Sequence, residues 1–158
     1  RDASLSDDHT GTLPVVLDAA DRLGLGDAAQ LTAMYSTSIL SPNTLEAFFA
    51  SVAQNREDFH VAVRQFSHPI QRALHTKDDG FLELIDPHNA GSRTQDLQPA
   101  FFDAGKIYSS LVSGWRNRKT MLSGKVKGFE LRIEESFDAD TVEEMEFLSW
   151  IHKMKSKS

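Results

Sequence analysis

Two aspartates near the end of the chain have the type and spacing of metal ligands. Asp138 and Asp140 are separated by one residue in the stretch SFDADTVEEME, just before a predicted helix. In an extended segment the side chains of residues i and i+2 point to the same face, so both carboxylates can reach one cation. Mg²⁺ favours such a set, in which one or two carboxylates, water and substrate phosphates are the ligands. The pair is therefore a candidate magnesium site.

The same stretch can instead cap the helix. Asp140 or Thr141 fits the N-cap position, and Glu143 or Glu144 follows about three residues later, as a capping box requires. From these residues alone, capping is the more common use of the pattern. The two interpretations are compatible, because one aspartate can cap the helix while the other binds a metal ion.

Two further stretches carry side chains that could bind an anion. In SRTQDLQPAFFDAGKIY (92–108) Arg93 precedes an aromatic pair, and arginine binds carboxylate or phosphate through two parallel hydrogen bonds. In RDASLSDDHTGT (1–12) hydroxyl side chains precede a predicted helix, whose N-terminus favours anions, although the two aspartates there would oppose one. Spacing alone favours a surface arginine and ordinary helix caps.

The composition limits the classes of function. The chain has 158 residues, of which 40% are hydrophobic and 25% charged, as in a single soluble globular domain. Its net charge of −6 argues against a general nucleic-acid binder. The absence of cysteine excludes disulfides and thiolate chemistry and suits a cytoplasmic protein. No apolar run reaches the roughly 18 residues of a membrane helix, and no P-loop, G-x-G-x-x-G or G-x-S-x-G motif is present.

The elements that must position these residues alternate in the first half of the chain. Apolar spacing predicts a helix over 10–23, a strand over 30–37, a helix over 42–55 and a strand over 59–66. Ser41 precedes a proline and fits the N-cap of the second helix. Alternation of helices and strands is typical of a parallel sheet with crossover helices. We therefore expect an α/β fold.

The second half of the chain predicts an inserted β-hairpin. Asp79-Gly80 lies between two strand-like runs, which is a hairpin signal, and AGKIYSSLV and KGFELRI are two further candidate strands. We interpret residues 1–158 as one domain with a hairpin arm at about 72–98. Such an arm covers a site or pairs with another subunit.

Two of the predicted helices have apolar stripes that should face the core. In the helix over 42–55 the stripe consists of Leu45, Phe48, Phe49 and Val52. The chain ends in a helix predicted over 141–154, whose stripe consists of Met145, Leu148, Trp150 and Ile151.

Five stretches together resemble a known family. They are RDASLSDDHTGT, MYSTSILSPNTL, FSHPIQRAL, SRTQDLQPAFFDAGKIY and FDADTVEE, and their order and spacing are similar to the motifs of the acylneuraminate cytidylyltransferases, or CMP-sialic acid synthetases. Each motif is weak alone, but together they are specific and span essentially the whole chain. The HPIQRAL and SRTQDLQPAFFDAGKIY forms look most similar to the branch that activates pseudaminic acid for flagellin glycosylation.

The resemblance implies a Rossmann-like nucleotidyltransferase. Such an enzyme joins CTP and a nine-carbon 2-keto acid sugar into a CMP-sugar and pyrophosphate, requires Mg²⁺ and forms a homodimer through its hairpin arm. Asp138 and Asp140 match the family's catalytic, metal-binding aspartates. Arg1 and Thr12 match positions on the nucleotide side of the site.

Four other residues match the sugar pocket of the family. Gln71 falls where sialic-acid members carry a lysine, and Arg93 matches an arginine that faces the sugar and its carboxylate. Tyr108 matches a tyrosine of the pocket, and Tyr35 stands where sialic-acid members have a sugar-contacting glutamine.

The chain also departs from the family pattern. It begins after the family's first strand and the LAAR-x-GS loop that holds the triphosphate, so we expect an N-terminal portion to be missing and this fragment alone to be inactive. Arg1 lacks the usual following proline, Ile39 replaces another proline, and Glu144 replaces the later aspartate. The alternatives are a non-catalytic sugar-nucleotide-binding or assembly module that has lost the loop, and an unrelated α/β domain whose motif order is chance.

Overall fold

The computed structural model of the chain describes residues 12–35, 40–137 and 141–155. These residues form an α/β fold, as predicted from the sequence. The helices are α1 Thr12–Arg22, α2 Pro42–Gln54, α3 Val112–Arg116 and α4 Val142–Lys155. The strands are β1 Gln30–Met34, β2 Phe59–Gln65, β3 Leu74–Thr76, β4 Leu82–Leu84, β5 Phe101–Leu111 and β6 Val126–Glu130. Within the described ranges, no helix has the length and hydropathy needed to cross a membrane.

The main sheet has the strand order β1-β5-β2-β6. Strand β5 is antiparallel to both β1 and β2, and β2 is parallel to β6. Strands β1 and β2 therefore run in the same direction, and α2 is the crossover between them, as the alternation of elements predicted. The sheet is mixed because β5 returns from the second half of the chain and inserts between β1 and β2.

Each face of this sheet is covered by helices. On β2, side chains alternate between the faces, so that Val61 faces the cluster under α1 and α3, whereas Ala62 faces α2. The first cluster is centred on Trp115, which is fully buried and donates its indole N–H to the Leu31 carbonyl at 3.1 Å. The second cluster contains Phe48 of α2. Both faces together form the core that fixes β5 in the middle of the domain.

Helix α2 begins as predicted. The Ser41 hydroxyl accepts a hydrogen bond from the Thr44 N–H at 3.2 Å, and Pro42 is the first helical residue. Phe48 and Val52 are buried, but Phe49 is 42% exposed, so its place in the buried stripe was wrong. Phe49 lies about 100° around the helix from Phe48 and contacts that ring edge-on, at a centroid distance of 5.6 Å.

Helix α4 buries only half of the predicted stripe. Leu148 and Ile151 are buried, whereas Met145 and Trp150 are 60% and 58% exposed. Residues 148 and 151 share one face of the helix, and Trp150 lies about 100° away from Ile151. The Trp150 ring instead stacks on Phe147, with the centroids 6.1 Å apart.

The predicted hairpin is present. Strands β3 and β4 pair in antiparallel register, and Gly80 in the turn has a φ of 83°, which a residue without Cβ adopts easily. Leu74, Phe81, Leu82 and Ile85 are each more than half exposed. The hairpin thus presents apolar side chains to solvent, and its role as an arm between subunits stays a prediction.

Candidate functional site

The predicted metal pair lies outside the described residues. Asp138 and Asp140, like Arg1, belong to stretches of which nothing is described, and Thr12 is placed only as the first residue of α1. Among the residues that are described, no group of three or more acidic or histidine side chains could hold a metal ion. The magnesium site and the nucleotide-side residues therefore stay predictions.

The N-terminus of α4, which follows Asp140 directly in the sequence, is capped by Thr141 and Glu144. The Thr141 N–H donates to the Glu144 carboxylate at 2.9 Å, and the Glu144 N–H donates to the Thr141 hydroxyl at 3.2 Å. This reciprocal arrangement is a capping box. Because Thr141 and Glu144 supply both halves of the box, helix capping does not by itself explain the Asp138 and Asp140 pair.

A buried glutamate anchors the segment that leads to the aspartates. Glu135 is 1% exposed, and its two carboxylate oxygens accept from the Ser41 N–H at 3.0 Å and from the Thr44 hydroxyl at 2.7 Å. An anion at a helix N-terminus is stabilised by the free N–H groups there. Glu135 thus ties the segment before Asp138 to the start of α2. Glu135 could not be predicted from the sequence, because nothing in the run IEES distinguishes a buried glutamate from a solvated one.

Tyr108 lies at the centre of β5 and has its hydroxyl group occupied. It is 1% exposed, and its O–H donates to Asp103 Oδ2 at 2.8 Å, while the Gly105 N–H donates to Asp103 Oδ1 at 2.9 Å. Burial, and then the negative charge of Asp103, raise the pKa of Tyr108 well above that of a free tyrosine. The phenol is therefore a neutral donor to Asp103.

A β-bulge brings these two side chains together. Asp103 pairs with Val63 of β2 and Tyr108 pairs with Val61, so five positions on β5 oppose two on β2. Gly105, inside the bulge, has a φ of 64°, a left-handed conformation that glycine adopts without a Cβ clash. The extra residues shorten the distance along the strand, and this lets a carboxylate reach a hydroxyl five positions away.

Tyr35 completes this group of side chains at the end of β1. Its ring contacts Tyr108 edge-on at a centroid distance of 6.0 Å, and its backbone N–H donates to the Lys106 carbonyl at 2.8 Å. The Tyr35 side chain is 37% exposed. We call Tyr35, Asp103 and Tyr108 the β5 cluster. The structure therefore brings two of the predicted sugar-pocket residues together.

The other two predicted sugar-pocket residues are held separately. Gln71 donates its side-chain N–H to the Gln98 carbonyl at 3.0 Å, and its Oε1 atom is buried without a hydrogen-bond partner in the described part of the chain. Arg93 is exposed and donates two hydrogen bonds, of 2.8 and 3.1 Å, to Asp96. Within the described ranges, no hydrogen bond or ion pair joins either residue to the β5 cluster.

Comparison with known proteins gives two relatives for the whole chain. Both are pseudaminic acid cytidylyltransferases of Campylobacter jejuni, from serotypes O:2 and O:23/36, and each is 28% identical over 161 aligned positions. The alignment covers 100% of this chain and 69% of each relative. The resemblance inferred from the sequence is confirmed. No protein-family model matches the chain.

The two relatives are similar to this chain along its whole length, which agrees with the cytidylyltransferase resemblance and not with an unrelated α/β domain. The alignment runs over every stretch on which the resemblance was based, from RDAS to FDADTVEE. The mixed sheet with its crossover helix α2 agrees with the Rossmann-like fold that the resemblance implied. The chance-order alternative is therefore excluded by a similarity that spans the whole chain.

Proposed function

We propose that this chain is part of a CMP-nonulosonate synthetase, which joins CTP to a pseudaminic-type nonulosonic acid and releases pyrophosphate. The observation that carries the proposal is the whole-chain similarity to two pseudaminic acid cytidylyltransferases. Motif order supports the same reaction class, because the stretch with Arg93 and Tyr108 precedes the aspartate pair, in the order that the cytidylyltransferase resemblance implies. We expect the enzyme to work in the cytoplasm.

The chemistry is a displacement at phosphorus. The anomeric hydroxyl of the sugar attacks the α-phosphate of CTP and loses its proton to solvent, a new P–O bond forms, and pyrophosphate leaves with the electrons of the broken P–O bond. Catalysis of this kind depends on positioning and on neutralising charge on the phosphate oxygens. The paired carboxylates of Asp138 and Asp140 suit Mg²⁺, and the ion would supply that neutralisation. We assign Arg1 and Thr12 to the nucleotide side.

The sugar carboxylate has Arg93 as its proposed partner. The guanidinium group already makes a two-bond contact with Asp96, which is the geometry it would use for a ligand carboxylate. Because this contact is exposed and local, its exchange for the sugar costs little. Gln71, whose Oε1 atom has no partner among the described residues, would accept a donor from the sugar. Tyr35 would offer its exposed ring edge to the same ligand.

The hairpin arm is the proposed contact between two subunits. Leu74, Phe81, Leu82 and Ile85 expose apolar surface on one short hairpin, and such surface is a usual feature of protein interfaces. A homodimer would bury these side chains. This assembly also agrees with the family resemblance.

The test uses the full-length protein with CTP, Mg²⁺ and a panel of nonulosonic acids, and it measures pyrophosphate release. We expect turnover of a 5,7-diamino nonulosonic acid in preference to N-acetylneuraminic acid. Asp138→Asn and Asp140→Asn should each lower turnover by at least about 100-fold, because each removes a carboxylate from the metal set. Their thermal unfolding should not change.

The matched control is Asp86→Asn. Asp86 caps the turn Pro87–Asn89 in the hairpin segment and should leave turnover unchanged. Full activity in both Asp138→Asn and Asp140→Asn would refute the metal assignment. An absence of pyrophosphate release with every sugar would favour the non-catalytic module.

A further inference from the structure

The β5 cluster contains the buried hydroxyl of Tyr108 and the partly buried carboxylate of Asp103, beside the more exposed Tyr35. Tyr108 is 1% exposed and its single O–H proton is donated to Asp103, whereas Asp103 is only partly buried. A ligand that approaches the cluster therefore meets the carboxylate before it meets the phenol. Direct contact between a sugar and the Tyr108 hydroxyl would require the core of the sheet to open.

Asp103 keeps unused capacity to accept hydrogen bonds. An ionised carboxylate has about four acceptor sites, and the described contacts fill two of them, from the Gly105 N–H and from the Tyr108 hydroxyl. The remaining sites can only accept. They would bind a hydroxyl, an amide N–H or an ammonium group and would repel a carboxylate or a phosphate.

Asp103 also lies beside space that can hold a ligand. A cavity of about 490 Å³ opens over β2 and β6 and is lined by Val63, Phe101 and Glu130 among other residues. Val63 is the β2 partner of Asp103, and directly paired residues of an antiparallel ladder share a face. Asp103 therefore lies on the face of the sheet over which this cavity opens, next to the lining residues Val63 and Phe101, although it does not line the cavity itself. Glu130 lines the β6 side.

Glu130 in the cavity wall and Asp103 on the same face of the sheet differ in their hydrogen-bond partners. Glu130 receives a hydrogen bond from Arg64 at 2.9 Å and is neutralised by that ion pair. Asp103 has only uncharged donors among its described contacts. Its negative charge is therefore available to a ligand, whereas that of Glu130 is already matched.

We propose that Asp103 is a sugar-binding residue that accepts hydrogen bonds from the donor groups of the nonulosonic acid, and that Tyr108 and Gly105 hold it in position. This inference rests on the proposed function, since it takes a nonulosonic acid as the ligand. It also orients that ligand: its hydroxyl and N–H groups face β5, and its carboxylate faces Arg93. Tyr108 is then a positioning residue rather than a sugar contact.

The test measures steady-state kinetics and direct sugar binding with the full-length protein. Asp103→Asn replaces an acceptor-only group with an amide of the same shape. It should raise the KM for a 5,7-diamino nonulosonic acid about 10- to 100-fold, as expected for the loss of a hydrogen bond to a charged group. The KM for CTP should stay within about 2-fold.

Two further variants separate binding from positioning. Tyr108→Phe keeps the buried ring and removes one donor to Asp103, so it should raise the KM for the sugar by about 3- to 10-fold and leave kcat unchanged. Asp86→Asn is the control, because it neutralises a carboxylate that only caps a turn of the hairpin segment, and it should change neither KM by more than about 2-fold. If Asp103→Asn does not fold, Asp103→Glu keeps the charge and should retain sugar binding in part.

Each outcome decides for or against the inference. Active Asp103→Asn enzyme with an unchanged KM for the sugar would overturn it and leave the proposed function intact. If the wild-type protein releases no pyrophosphate, calorimetric titration with the same sugar still decides: binding that weakens in Asp103→Asn supports the inference without the enzyme activity. No binding to the wild-type protein would refute both.

Discussion

Strand β5 and the segment of residues 70–96 both carry predicted sugar-pocket residues, but they hold them in different ways. In β5 the polar groups are bonded to a neighbouring strand or within the strand itself: the Ser109 hydroxyl contacts Thr32 of β1 at 2.8 Å, and the Tyr108 hydroxyl donates to Asp103 of the same strand across a bulge. Every residue of 70–96 is described and none is buried. Among the described residues, the Arg93 side chain is bonded to the carboxylate of Asp96, three positions away.

The two regions differ in whether their polar groups already have a fixed geometry before a ligand arrives. The β5 cluster is positioned by strand register and by burial, so its geometry exists before a ligand arrives and costs nothing more at binding. In the proposed site Arg93 would first have to leave Asp96, and it would contribute only the difference in free energy between two similar ion pairs. We therefore expect β5 to supply the shape of the site and the segment 70–96 to supply an exchangeable charge.

The largest effect should come from a core residue of β5. Ile107 is fully buried in the cluster under α2, and Ile107→Ala should lower the free energy of unfolding by about 2–5 kcal/mol through lost burial and a cavity. The matched change in the hairpin is Leu82→Ala, at a residue that is 62% exposed. It should cost less than about 0.5 kcal/mol in the monomer. Urea unfolding of both variants measures the difference.

Two results of the urea unfolding experiment would contradict the expected difference between β5 and the hairpin. Equal losses in Ile107→Ala and Leu82→Ala at low protein concentration would mean that the hairpin is part of the folding core. A loss in Leu82→Ala that appears only at high protein concentration would instead indicate that the hairpin is buried between subunits.

An intermediate effect should appear at alkaline pH. The pKa of Tyr108 is raised in the folded protein by burial and by Asp103, so the native state keeps this proton while the unfolded chain releases it above about pH 10. The stabilisation is present below pH 10 and is lost as the pH rises. Relative to Tyr108→Phe, the wild-type protein should lose about 1.4 kcal/mol of unfolding free energy between pH 9 and pH 11. Parallel loss in both proteins would show that Tyr108 ionises freely.

The smallest effect should come from the exposed segment. Asp96→Asn removes the local partner of Arg93 and should lower the KM for the nonulosonic acid by about 1.5- to 5-fold, which corresponds to an exposed ion pair of about 0.2–1 kcal/mol. The gain should shrink in high salt. Asp86→Asn is the control, and an increase in KM for Asp96→Asn would mean that Asp96 itself binds the sugar or positions Arg93 for it.

The sequence predicted the elements better than the contacts between them. Periodic spacing placed α2, β2 and the hairpin within a few residues, because each has a local signal: Ser41-Pro42 at a helix start, alternation in FHVAVRQ, and Gly80 in a turn. The same spacing was wrong for Phe49 and Trp150, since local pattern gives the side of a helix but not how wide its covered face is.

The contacts between polar side chains could not be predicted from local spacing. Asp103 and Tyr108 are five residues apart, and only the bulge at Gly105 brings them to 2.8 Å. Glu135 and Ser41 are 94 residues apart in sequence, and their contact depends on how β6 and α2 pack on the sheet. Neither pairing has a local sequence pattern.

The sequence by itself determined the class of the fold and the family resemblance, because helix periodicity, turn residues and motif order are properties of the chain read in one direction. The sequence also identified candidate site residues by the chemistry of their side chains. Only the tertiary structure decided which of these side chains meet. In the tertiary structure Tyr108 is buried, Asp103 is partly exposed near a cavity, and Arg93 lies at the surface. These positions depend on strand register, on the left-handed conformation of Gly105 and on the packing of both faces of the sheet. Such contacts join residues that are distant in sequence, so local spacing does not predict them.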